Sequence, residues 1–315
     1  VTQPPSPHTP STELPGCWWH PNRQTGLSCV RCGRPACPDC LREASVGYQC
    51  IDCVQLARRE SHTQRRRYRS AGYGSRTVAG ARLSQRLIVT PVLIALNVLI
   101  YAITAAQAGS AMNNQASPLF LDWVEQPASI VLYGEWWRLF TTGFLHYGLI
   151  HIAVNMFSLW VLGRELEPLL GKIRFTAVYL VSLLGGSLAV FLFDNVLQQA
   201  AGASGAIYGL LGGILVAVLR LRLNPAPAIG IIVINLVISV SIANISLLAH
   251  LGGLIVGALA TVALVYAPEK RRTQWQVGAI VVLVVALVGL ALLRDAQLAN
   301  LSCGYVRGGQ VVCST

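Results

Sequence analysis

Seven apolar stretches, near residues 87–106, 144–163, 175–193, 204–220, 228–245, 247–266 and 277–293, are each long enough to cross a bilayer. A chain that places that much of itself in hydrocarbon has few folds open to it. Backbone N–H and C=O groups have no water to bond there, so each stretch is expected to be an α-helix satisfied within itself. Composition agrees: 54% of the 315 residues are hydrophobic and 12% are charged, against a usual charged share of about 25%. These values point to an all-α polytopic membrane protein and exclude an ordinary soluble enzyme.

Orientation follows from the basic residues, which collect on the cytoplasmic side of spans. Thirteen Arg precede the first span. Arg164, Lys172, Arg174, Arg220, Arg222, Lys270, Arg271 and Arg272 lie on the same side, and only Arg138, Arg294 and Arg307 on the other. The N-terminus is therefore expected in the cytoplasm and the C-terminus outside, in an integral protein of the cell membrane. Residues 1–16 lack the apolar core of a secretory leader, so the first span is expected to act as the targeting signal. Cys303 and Cys313 then fall on the oxidising side, where they can pair.

The other seven cysteines precede residue 54. After a disordered leader, residues 1–14, come Cys17-x-x-His20, Cys29-x-x-Cys32, Cys37-x-x-Cys40 and Cys50-x-x-Cys53. Two-residue gaps let both members of a pair reach one metal, and eight ligands fill two tetrahedral sites with no open position. Two structural Zn2+ ions are expected, with no catalytic cofactor. The pattern over residues 15–56 resembles B-box or RING-like cross-braced zinc fingers. That resemblance implies that Cys17, His20, Cys37 and Cys40 share one ion and Cys29, Cys32, Cys50 and Cys53 the other; sequential pairing is the alternative. Residues 57–86 are rich in Arg and read as a linker that hugs anionic lipid rather than a nucleic-acid site.

Ionisable groups within spans are costly and mark function by default. His151 and Asn155, four residues apart, share one helix face in the second span. His146, at the start of that span, is expected to face water. Ser204 lies 16 residues before Arg220, and thus roughly 24 Å above the cytoplasmic face; His250, 18 residues before Pro268, stands roughly 27 Å above it. Serine and histidine share a level, and Gly202-Ala203-Ser204-Gly205 lets the backbone close on a substrate. A nucleophile, a base and two hydrogen-bond donors can meet in one externally open pocket.

These residues resemble the motifs of the rhomboid intramembrane serine proteases. Gly202-Ala203-Ser204-Gly205 matches the family's GxSG, His250 with Gly253 its HxxG, His151-x-x-x-Asn155 its HxxxN, and Trp137-Arg138 its first-loop Trp-Arg. Gly253 and Gly257 match its helix-packing GxxxG. The resemblance covers residues 87–266 and implies a six-helix catalytic core, to which residues 267–315 add a seventh helix and an external tail. It implies Ser204 as nucleophile, His250 as base, and His151, Asn155 and the Ser204 N–H as oxyanion donors. It also implies that Tyr208 stacks on His250, that Glu167 ties a cytoplasmic loop, and that the fifth span, with Asn235 and Asn244, is a lateral gate. Glu135-Trp136-Trp137-Arg138 is expected at the headgroup interface of an in-plane loop, 107–143.

The function expected is cleavage of transmembrane protein substrates near the external face of the lipid bilayer. The alternative is a catalytically silent rhomboid-like protein that binds membrane clients, and loss of Ser or His would mark it. A transporter would need ionisable groups continuing into the cytoplasmic half of the fourth and sixth spans, and none is there. A cytosolic protein partner is expected for the zinc module, and no nucleic acid.

Overall fold

A computed structural model of the protein describes residues 14–44, 46–70, 76–82, 86–241, 245–305 and 311–314. Thirteen residues of the expected leader, and Asn244, fall outside them. The chain divides into two compact units, Val1–Ser75 and Arg76–Thr315.

The first unit is too small to bury a large core and organises itself around its cysteines. Antiparallel β1 (Gly16–Cys17) and β2 (His20–Gln24) make one ribbon, and β3 (Leu41–Glu43) and β4 (Tyr48–Cys50) another. Helix α1 (Ile51–Ser70) follows directly and carries Cys53 in its first turn. Trp19 packs against both cysteine groups and is the main apolar body between them.

The second unit is helical. The spans are α2 (Val89–Ala108), α6 (Gly148–Leu170), α7 (Lys172–Phe193), α8 (Ser204–Arg220), α9 (Ala226–Ser241), α10 (Leu247–Val265) and α11 (Arg272–Gln297). Five of these helices are long and apolar enough to cross a membrane; α8 and α9, at 17 and 16 residues, are shorter. Helix α8 is the centre, with every residue from Gly205 to Gly213 buried. Small residues let its neighbours approach its backbone: a Cβ on Gly212 would stand 2.5 Å from the Leu254 carbonyl oxygen of α10. Helix α9 lies at the edge and buries only Ile232 and Ser239.

At the start of α2, Glu167 of α6 is buried and accepts the backbone N–H groups of Ile88 at 2.8 Å, Val89 at 2.9 Å and Thr90 at 2.8 Å, with the Thr90 hydroxyl at 2.7 Å. These are donors that a helix N-terminus otherwise leaves orphaned. The negative charge also opposes the positive end of the helix dipole.

Between α2 and α6 the chain forms short helices α3 (Pro118–Trp123), α4 (Pro127–Tyr133) and α5 (Arg138–Thr141). Arg138 is buried within the protein. Its Nε meets Glu135 at 2.6 Å, and one Nη donates to the carbonyls of Leu121 at 2.6 Å and Val124 at 2.8 Å. An internal carboxylate and two loop carbonyls replace water and lipid phosphate around the guanidinium, so the charge clamps the loop. Trp137 alone of that pair is exposed. His146 departs from expectation: it precedes α6 and is fully buried, because the chain folds inward before the helix begins. After α11, strands β5 (Ser302–Tyr305) and β6 (Val311–Ser314) pair, and a disulfide joins Cys303 to Cys313.

Candidate active site

Ser204 is the first residue of α8, so its N–H and those of Gly205 and Ala206 precede the first intrahelical bond, Ile207 N–H to Ala203 C=O at 3.0 Å. Gly202, two residues earlier, has φ +136°, a conformation that side chains rarely adopt. It turns the chain sharply into the helix while its own N–H donates to the Thr142 carbonyl at 3.1 Å.

His250, one turn into α10, is buried and brings Nε2 to 2.9 Å from Ser204 Oγ. Its ring lies face to face with Tyr208, centroids 3.9 Å apart and planes 9° from parallel. Tyr208 is four residues after Ser204, hence on the same face of α8.

His151 accepts the Tyr147 backbone N–H at Nδ1, 3.1 Å away. A neutral imidazole has one proton, so that contact leaves it on Nε2. The same nitrogen borders Gly202, where a Cβ would lie 3.0 Å from it. An N–H donor and the free N–H groups of the α8 terminus thus flank one small space. Asn155 is buried and gives one amide hydrogen to the His151 carbonyl at 2.9 Å. The buried His146 ring packs edge-on against His151, centroids 5.2 Å apart.

Comparison with known proteins adds to this geometry. Residues 133–267 match the family model for the Rhomboid domain. The chain is 36% identical over 146 residues to the Bacillus subtilis protein named Putative rhomboid protease YdcA, covering 45% of this chain and 73% of that one. It is 34% identical over 216 residues to the RHOMBOID-like protein 6, mitochondrial, of Arabidopsis thaliana, covering 59% of this chain and 68% of that one. This chain belongs to the rhomboid family. It is also 38% identical over 180 residues to the Rhomboid protease GluP of Bacillus subtilis, covering 56% of this chain but only 34% of that longer protein.

One contact of this rhomboid site lay beyond sequence reasoning. Ser239 of α9 is buried with its Oγ 2.7 Å from His250 Nδ1 and 2.8 Å from the Tyr208 hydroxyl. Nothing in an apolar helix that carries both Ser239 and Ser241 distinguishes the first of them; its contacts come from the packing of α9. Asn235, one turn earlier, is half-buried and bonds its amide to the Ile231 carbonyl at 2.8 Å, away from the site.

In the N-terminal unit the ligand atoms gather into two sets, Cys17, His20, Cys37 and Cys40, and Cys29, Cys32, Cys50 and Cys53, each set within 4.8 Å. The arrangement is interleaved along the chain, not sequential. Tetrahedral zinc with Zn–S bonds of about 2.3 Å needs ligand–ligand edges of about 3.8 Å. Cys17–His20 at 3.8 Å, Cys37–His20 at 3.5 Å, Cys40–His20 at 3.4 Å and Cys32–Cys50 at 3.8 Å fit such edges, with Nδ1 the donor from His20. Both sets can hold a metal ion.

Proposed function

We propose that this rhomboid-family protein is an intramembrane serine endopeptidase that cuts transmembrane segments of other proteins. The observation that carries the reading is the 2.9 Å contact between Ser204 Oγ and His250 Nε2. Relatives named as rhomboid proteases support the same reaction class.

In this reading Ser204 passes its proton to His250 Nε2 as Oγ attacks the scissile carbonyl. His151 Nε2–H and the Ser204 N–H stabilise the oxyanion, with Asn155 supporting them. The imidazolium then protonates the departing amine, and water repeats the cycle on the acyl-enzyme. Tyr208 holds the ring of the base in the absence of a carboxylate. A substrate helix must unwind at the cleavage point, because its carbonyls are otherwise hydrogen-bonded; small or helix-breaking residues belong there.

The N-terminus is assigned to the cytoplasm and the active site to the external half of the membrane. Residues 15–56 hold two structural zinc ions and serve as a cytosolic docking module for a protein partner. Zinc supplies folding energy there and no chemistry. Residues 87–266 are the catalytic core.

The test is cleavage of a reporter transmembrane protein by wild type, Ser204→Ala and His250→Ala in the same membranes. Both variants should insert normally and lose cleavage to a similar extent, because nucleophile and base act as a unit. Wild-type turnover by Ser204→Ala ends the proposal.

A further inference from the structure

We infer that Ser239 selects the tautomer of His250 and makes that selection depend on the position of α9; the inference rests on Ser204 and His250 acting as nucleophile and base. Hydrogen-bond accounting carries it. For Nε2 to take the Ser204 proton, it must be bare, so the single proton of the neutral ring belongs on Nδ1. Nδ1 faces Ser239 Oγ at 2.7 Å, and that oxygen must then accept. A serine hydroxyl has one proton to give. Here it goes to the Asn235 carbonyl, one turn back in α9, at 2.8 Å. With that proton committed, Ser239 Oγ accepts from His250 Nδ1–H and from the Tyr208 hydroxyl, and all of its bonds are used.

The opposite arrangement turns the Ser239 proton towards Nδ1. It abandons the Asn235 carbonyl and puts a hydrogen on Nε2, facing Ser204, where the ring is no longer a base. The α9 backbone therefore biases the ring to its productive form. Once the ring has taken the Ser204 proton, Nδ1–H still has its acceptor and the Tyr208 face lies against the cation.

What makes this more than support is the helix that supplies it. Ser204 and Tyr208 belong to α8 and His250 to α10, but Ser239 belongs to α9. That helix buries only one other side chain, Ile232, which packs with Tyr208 and Leu211. An open apolar groove of about 440 Å³ lies between the end of α9 and the start of α10, lined by Leu236, Val237, Val240, Ser241, Leu247 and Leu251. Outward displacement of α9 removes the Nδ1 acceptor while nucleophile and base stay on their own helices. The base is oriented when α9 is seated and unbiased when it is not.

The experiment combines turnover of a transmembrane reporter with nitrogen NMR of the His250 ring in the full-length protein, assigned by its loss in His250→Gln. Ser239→Ala should lower kcat by about ten- to a hundredfold, less than the roughly hundred- to ten-thousandfold contribution of a general base because the base itself is kept, with little change in KM. Its ring should shift towards the Nε2–H tautomer. Ser239→Thr, which keeps a hydroxyl able to bond the carbonyl one turn back, should restore both readouts. Ile232→Ala loosens α9 without touching the hydroxyl and should cause the same shift, and Ser239→Ala/Ile232→Ala should be little worse than Ser239→Ala alone. An unchanged tautomer in Ser239→Ala overturns the inference, as does failure of Ser239→Thr to rescue, or additive losses in the double variant. Wild type inert to the reporter, with the tautomer shift present, overturns the protease reading and leaves the role of Ser239 standing.

Discussion

Gly257 of α10 packs directly on the backbone of Gly209 of α8, so that a Cβ on Gly257 would overlap the Gly209 Cα and carbonyl. One turn towards the site, Gly253 meets Gly205 in the same way. The helices that carry Ser204 and His250 thus touch backbone to backbone, with no side chain between them to adjust. Gly257→Ala is expected to cost about 1–3 kcal/mol, the usual range for overpacking. Thermal unfolding in detergent measures it against Gly289→Ala in α11, where a Cβ meets nothing within 4 Å. Equal unfolding midpoints for the two variants would refute the tight contact.

Asn155→Ala removes the amide that bonds the His151 carbonyl and tests the oxyanion role proposed for it. Loss of one oxyanion donor costs about a hundred- to a thousandfold in turnover. Steady-state kinetics on the reporter separates the outcomes: a drop in kcat supports an oxyanion role, whereas a rise in KM alone makes Asn155 a binding residue.

Metal removal acts on the N-terminal unit. Chelation, or Cys29→Ser, should unfold residues 15–56 and expose them to proteolysis, since a core built around cysteines has little else to hold it. Cleavage of a minimal transmembrane substrate should persist, and cleavage of a natural client should fall. A truncated protein lacking residues 1–56 that is folded but inert on the minimal substrate would disprove the docking role.

Thiol labelling tests orientation. With a membrane-impermeant reagent on intact cells, Cys303 and Cys313 should react only after reduction, and the cysteines before residue 54 should stay unlabelled. Outside labelling of Cys17 or Cys29 would reverse the topology.

Much of the fold was legible because hydrocarbon imposes one solution, the helix, on each apolar stretch. Ser204 and His250 stood out as candidates for a related reason: polar groups are few within spans, and simple helix rise gives their depth. The burial of Arg138 and the contacts of Ser239 were not legible. The burial of Arg138 depends on two carbonyls, of Leu121 and Val124, that only the folded loop turns towards it. Ser239 looks like any hydroxyl of an apolar helix until α9 is laid against His250. Sequence spacing reports neighbours along one helix; it is silent on which residue of another helix arrives opposite.

Glu167 has a consequence for how the protein is made. The backbone donors that open α2 are satisfied by a carboxylate 77 residues later at Thr90, so the first span leaves the ribosome without its cap. Until α6 is synthesised and inserted, the N-terminal turn of α2 must find its hydrogen bonds in water or lipid headgroups. Final seating of the first span is therefore a late event in biogenesis, although its residues come first. A nascent chain stalled before residue 167 should hold α2 in the membrane with a frayed N-terminal turn, and one extended past α6 should hold it fixed.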